Sequence, residues 1–71
     1  MSFYSSNRET YHEITQNTHG FDRAVRAIRN LVSAGVPLRI GLVVMEPNRN
    51  DVEETKAFLQ ELGVNPDSIH V

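Results

Sequence analysis

Arg39 is the residue whose position most demands a chemical reason. It interrupts the otherwise apolar run Val36-Pro37-Leu38-Arg39-Ile40-Gly41-Leu42-Val43-Val44-Met45. A guanidinium there must reach solvent, an acidic partner or a ligand anion. Two positions on, Gly41 leaves the run without a side chain. Asn48 and Asn50 follow the carboxyl end of the run, where α/β sheets place ligands, although helix capping accounts for them too. Ser2, Tyr4 and Ser5 stand at the corresponding end of an earlier short segment. There they offer hydroxyls to a polar ligand, or make an ordinary strand-to-loop transition.

The remaining chemistry-bearing residues are less pointed. His12, His19 and His70 have no metal-ligand spacing, and His12-Glu13 is a weak acid–base pair. The arginines Arg23, Arg26 and Arg29 form a basic stripe of the kind amphipathic helices ordinarily turn to solvent. No Walker loop, G-x-G-x-x-G or G-x-S-x-G occurs, which excludes the common phosphate cradles and the nucleophile elbow.

Three kinds of element must position these residues. The run from Val36 to Met45 is β-branched-rich, apolar on both faces near its end, and bounded by Gly35, Pro37 and Pro47. It is expected to be a central parallel strand covered on both faces. Phe21, Ala24, Val25, Ile28, Leu31 and Val32 recur at helical spacing, predicting a helix from about residue 21 to 34 with Gly20 as N-cap and Gly35 as C-cap. Asn50-Asp51-Val52-Glu53 has capping-box spacing, predicting a second helix with Val52, Thr55, Leu59 and Leu62 inward, Phe58 beside them and Gly63 at its end. Ser2–Ser5 and Ile69–Val71 read as short outer strands. Residues 6–19 carry only Tyr11 and Ile14 as apolar anchors and read as a long loop with at most one helical turn. Leu31-x-x-x-Gly35-Val36 returns as Leu59-x-x-x-Gly63-Val64, an internal βα repeat. The fold class is therefore α/β, a βαβαβ arrangement with a three-stranded parallel sheet.

Composition narrows the function classes. A chain of 71 residues makes one small domain, and with no cysteine it has neither a disulfide framework nor thiolates for zinc or iron–sulfur clusters. The mixed net charge of −2 argues against nonspecific nucleic-acid binding. No apolar run approaches the roughly 20 residues of a membrane span, and the first residues lack the pattern of a signal peptide. A soluble, cytoplasmic setting is expected. Two open sheet edges with nothing to staple them suggest a piece of something larger.

The residues also carry a family resemblance. Ser2-Phe3-Tyr4-Ser5, Tyr11-His12-Glu13-Ile14-Thr15, Gly20-Phe21-Asp22-Arg23-Ala24, the segment Leu31 to Ile40, Val43-Val44 with Asn48, and Leu62-Gly63-Val64 fall in the order seen in radical S-adenosylmethionine enzymes. The chain resembles the second half of the partial (β/α) barrel in the SPASM-type, peptide-modifying members. The resemblance implies that residues 1–71 are about two βα units plus a truncated strand. It implies S-adenosylmethionine and a 4Fe-4S cluster as cofactors of the parent enzyme, a peptide substrate, and cofactor-side contacts by Ser2, Tyr4, Ser5, Arg39, Gly41 and Asn48. The family's fourth strand typically reads Ser-x-Asp-Gly. Ser2 matches its serine, whereas Tyr4 and Ser5 stand in place of Asp and Gly. The CxxxCxxC loop that binds the cluster is absent, so this chain is expected to form wall rather than reactive centre. Two other readings stand beside it. One is a free-standing βαβαβ module without catalysis that binds a partner through its open sheet edges; in the barrel reading the same edges meet the remainder of the barrel, or another copy by self-association. The other is a small-ligand module that binds an anion at the helix N-terminus before Phe21.

Overall fold

The computed structural model describes all residues, Met1–Val71. Strand β1 (Ser2–Phe3) leads to helices α1 (Arg8–Thr15) and α2 (Gly20–Ser33), then β2 (Ile40–Leu42), a 3-10 turn (Glu46–Asn48), helix α3 (Val52–Glu61), a second 3-10 turn (Pro66–Ser68) and β3 (Ile69–His70). The strands form one parallel sheet in the order β1-β2-β3, with Ser2 opposite Gly41, Phe3 opposite Leu42, and Ile40 opposite Ile69. The α/β class and the central place of β2 are as the sequence predicts. No helix is long and apolar enough to cross a membrane.

The strands are shorter than expected, and the carboxyl end of β2 shows why. The Asn48 side chain donates to the Val43 carbonyl at 2.7 Å and accepts from the Met45 amide at 2.5 Å, taking the backbone groups that would have prolonged the ladder. Val44 and Met45, read as strand, are therefore about 45% exposed loop residues.

The expected two-sided burial of β2 also fails. Phe3 touches Tyr11 of α1, Phe21 of α2 and Phe58 of α3, with ring centroids 5.2, 6.2 and 6.3 Å apart. All three helices thus pack on the sheet face of Phe3, Ile40 and Leu42. Alternation along the strands sends Ser2, Gly41 and His70 to the other face, where Ser2 and His70 are exposed. The apolar run misleads because its last residues lie beyond the strand.

Helix α1 replaces most of the expected loop. Asn7 caps it, its side chain accepting from the Thr10 amide at 3.1 Å, and Gln16 closes it in a left-handed conformation. A polar octapeptide is marginal as a helix by itself. Here Tyr11, 5% exposed, anchors it against Phe3, Tyr4 and Phe21. Burial, with Tyr4 adding to it, raises the Tyr11 phenol above its ordinary pKa of 10.0, so the site keeps a neutral ring.

The caps of the other helices are shifted by one residue from the predictions. Gly20 begins α2 behind His19, and Asp51, not Asn50, precedes α3. Asp51 makes no side-chain cap, so the capping box is absent; its carboxylate is engaged by Ser5 instead. The repeated Leu-x-x-x-Gly-Val segments are two Schellman turns: Val36 donates to Leu31 and Gly35 to Val32, as Val64 donates to Leu59 and Gly63 to Gln60. Their glycines differ in surroundings. At Gly63, with φ 102°, a Cβ would stand 2.7 Å from Cγ1 of Val32, whereas at Gly35, with φ 69°, it would meet nothing within 4 Å. Val32 is β-branched and stiff at χ1. Gly63→Ala is therefore expected to cost about 2–4 kcal/mol, against about 1 kcal/mol for Gly35→Ala. Urea unfolding of the two variants separates the terms, and equal losses would mean that backbone strain alone matters.

Candidate functional site

The carboxyl ends of β1 and β2 meet the N-termini of α1 and α3 in a compact polar network. Asn48, 3% exposed, reaches across it: its amide donates to the carbonyls of Tyr4 at 2.6 Å and Val43 at 2.7 Å. Ser5, fully buried, donates to Asp51 Oδ2 and accepts from the Asn7 amide, both at 3.0 Å. Thr55, 1% exposed, accepts from the Ser6 amide at 3.0 Å. These bonds fasten the segment after β1 to α3 and leave no buried side-chain nitrogen or oxygen without a partner.

The uncovered sheet face is built differently. Register places Ser2, Gly41 and His70 side by side across the three strands. Arg39 lies on the same face as Gly41 by the two-residue repeat of a strand. Its carbonyl continues the pairing with β1, accepting from the Met1 amine at 3.0 Å. The Arg39 side chain is exposed and enters none of the ion pairs, which join Arg8 to Asp22, Arg49 to Glu46 and Lys56 to Glu53. Gly41 has no structural necessity: its φ is not left-handed, and a Cβ there would meet only the Met1 carbonyl, at 4.0 Å. A glycine in mid-strand weakens the strand, and one that packing does not require leaves room for another molecule's close approach.

The six residues singled out in the sequence thus fall into two sets. Ser2, Arg39 and Gly41 come together on the open face. Ser5 and Asn48 are buried and spend their polar groups on the fold. Tyr4 stands between them, half-buried, its ring edge-on to Tyr11 at 5.3 Å and its carbonyl held by Asn48. Of the two asparagines also read as helix caps, Asn48 caps its own 3-10 turn, its side chain accepting from the Met45 amide at the turn's N-cap, and caps no α-helix; Asn50 is exposed. Sequence reasoning passed over His70, which only the register with Gly41 brings to this face, and Asp51 and Thr55, whose partners lie more than forty residues away in the chain.

The fit to cofactors differs by group. No cluster of His, Cys, Asp and Glu is arranged to hold a metal ion, and with no cysteine the chain offers an iron–sulfur cluster no thiolate. Any such ligands must come from outside these residues. The open face, with a free guanidinium, a hydroxyl and an unfilled position at Gly41, does suit a polar, anionic small molecule.

No protein-family model matches the chain, and no solved structure does. Curated proteins do. The chain is 35% identical over 66 residues to a "Probable GTP 3',8-cyclase" of Saccharolobus islandicus strain L.S.2.15. It is 32% identical over 66 residues to the protein of the same name from Saccharolobus solfataricus strain P2. In both cases the match takes in 92% of this chain and 21% of the relative. The chain therefore spans about a fifth of the length of the curated relatives it resembles, and its similarity is to one section of these cyclases.

Proposed function

We propose that these residues are a section of a radical S-adenosylmethionine enzyme of the same class as those cyclases, forming cofactor- and substrate-side wall of its barrel. The observation that carries the reading is the uncovered sheet face, on which Ser2, Gly41 and the unpaired Arg39 come together. A domain complete in itself has no use for a bare face and two raw edges; a barrel has, because its strands turn that face inward and their edges to further strands. The 4Fe-4S cluster and its cysteine loop would belong to other parts of the enzyme. Because the relatives are named for a reaction of GTP, a purine nucleotide stands ahead of a peptide as substrate class. In this reading Arg39 meets a carboxylate or phosphate, and Gly41 admits a flat group close to the strand. Ser2 adds a hydrogen bond. Ser5 and Asn48 act only by holding the strand ends in place.

Titration of the chain with S-adenosylmethionine and, separately, with GTP tests this by amide chemical shifts. At millimolar ligand, shifts are expected at Ser2, Arg39, Gly41 and His70. Arg39→Ala should weaken binding about tenfold, the loss of one charge-assisted hydrogen bond, while Arg23→Ala on the outer helical surface changes nothing. Shifts confined to the helices, or equal losses from both substitutions, would remove the open face from the proposal.

A further inference from the structure

The arginine stripe that the sequence gives as a solvated face is divided in the structure. Arg26 and Arg29 line a groove of about 480 Å³ along α2, and Arg23 stands outside it. Two adjacent i,i+4 rows of α2 build the groove: Phe21, Val25 and Arg29 form one, and Asp22, Arg26 and Asn30 the other. Phe58 of α3 and Arg8 at the start of α1 complete it. Eight residues of helix rise about 12 Å, which sets its length. Phe21, Val25 and Phe58 are half-buried, whereas every polar residue of the lining is exposed. The groove therefore has an apolar centre and a polar rim. Its charge runs against that of the molecule. The chain has nine acidic residues to seven basic ones, yet the groove has three arginines to one aspartate. Arg8 takes up Asp22 at 2.7 Å, and neither Arg26 nor Arg29 enters an ion pair.

We infer that this groove docks an acidic segment of another protein, one that carries a large apolar side chain beside its carboxylates. The apolar side chain covers Phe21, Val25 and Phe58, and the carboxylates meet Arg26 and Arg29, whose planar guanidinium groups accept them in bidentate fashion. An apolar centre inside a polar rim, built from phenylalanine and arginine, is the make-up of a protein contact surface. A small anion would use the rim alone, because the side chains at the centre offer it no hydrogen bond. A basic partner would meet repulsion from the two free arginines. Nucleic acid fits less well: the Phe21 ring lies under the Arg8 guanidinium at 5.2 Å and Phe58 stacks on Phe3, which leaves little aromatic face for a base. The net charge of −2 also opposes a polyanion beyond the groove. The inference does not rest on the proposed function, because the groove lies among the helices and the open face on the opposite side of the sheet.

Amide chemical shifts of the chain, titrated with a synthetic peptide, test the inference. The probe is a blocked pentapeptide with tryptophan at its centre and two glutamates on each side. Saturable shifts are expected at Phe21, Val25, Arg26, Arg29 and Phe58, and none at Ser2, Gly41 or His70. High salt should weaken the binding. Arg26→Glu and Arg29→Glu should each weaken it at least about fivefold, whereas Arg23→Glu makes the same charge change on the same helix and should alter it less than about twofold. Alanine in place of the probe's tryptophan should lose about tenfold. Amide spectra that match the parent's away from each substitution establish that the variants are folded. Absent shifts, equal binding of a peptide with lysines for glutamates, a loss shared by Arg23→Glu, or an alanine-centred probe that binds as tightly would each overturn the proposal. So would inorganic phosphate or an oligouridylate that shifts the same residues at lower concentration than the peptide, the first by making the groove a small-anion site and the second a nucleic-acid site.

Discussion

Phe3→Ala should leave the chain largely unfolded at room temperature. The side chain is fully buried and is the one group that touches an aromatic ring on each of the three helices. Removing a buried phenylalanine costs about 3–5 kcal/mol through lost transfer energy and the cavity left behind. A domain of this size has roughly that much stability in total. Position adds to the effect: β1 is an edge strand of two residues of which Phe3 alone is buried, so what remains is its ladder with β2 and the polar bonds just beyond it. Far-UV circular dichroism and urea unfolding read the result. Val71→Ala, at a side chain 70% exposed, is the control and should change nothing measurable. A Phe3→Ala variant that still melts cooperatively near the parent's temperature would mean that the helices form a core without the strand.

The second large effect is expected at Asn48. Its amide is the shared partner of two carbonyls that each follow a different strand, so Asn48→Ala strands the Tyr4 and Val43 oxygens together and frees the Met45 amide. Buried groups left unsatisfied cost about 1–3 kcal/mol each, and a loss of about 3 kcal/mol is expected. Asn48→Asp discriminates the cause. A carboxylate keeps the acceptor for Met45 but points negative charge at two carbonyl oxygens, so its folded-state pKa should lie above its unfolded value. For such a group stability is present below the unfolded pKa and lost as pH rises through the folded one. Asn48→Asp should then match the alanine variant at neutral pH and recover part of the loss under mildly acidic conditions. A pH-independent defect would show that shape at this site matters more than donors.

Asn48 also marks how far the sequence could be read. The α2 stripe from Phe21 to Val32 and the two Leu-x-x-x-Gly-Val turns are local patterns, and both appear in the structure where expected. Helix α1 was illegible because its own residues barely favour it; what stabilises it is the docking of Tyr11 on rings from β1 and α2. The length of β2 was misread because Leu42 to Met45 is apolar throughout, while its end is set by a side chain that folds back from Asn48. Of the site, Arg39 and Gly41 were visible as anomalies in a strand. Their sharing a face with Ser2 and His70 follows from parallel register, which composition does not encode. The buried roles of Ser5 and Asn48 required partners distant in the chain, Asp51 and Tyr4, that no spacing rule reveals.

Parallel register has a kinetic side as well. Ser2 pairs with Gly41 and Ile40 with Ile69, so no strand finds a neighbour until at least one whole helix has been threaded between them. Helical turns close in microseconds or less, whereas ladders between remote segments wait on the entropy of closing long loops. The early chain is therefore a set of flickering helices without a sheet, its phenylalanines free to meet in any order. On a ribosome β1 would emerge before β2 and could not pair with it until β2 has cleared the exit tunnel. During that interval the Ser2–Phe3 segment has no β2 to pair with, so the earlier of the two strands settles only when the later one arrives.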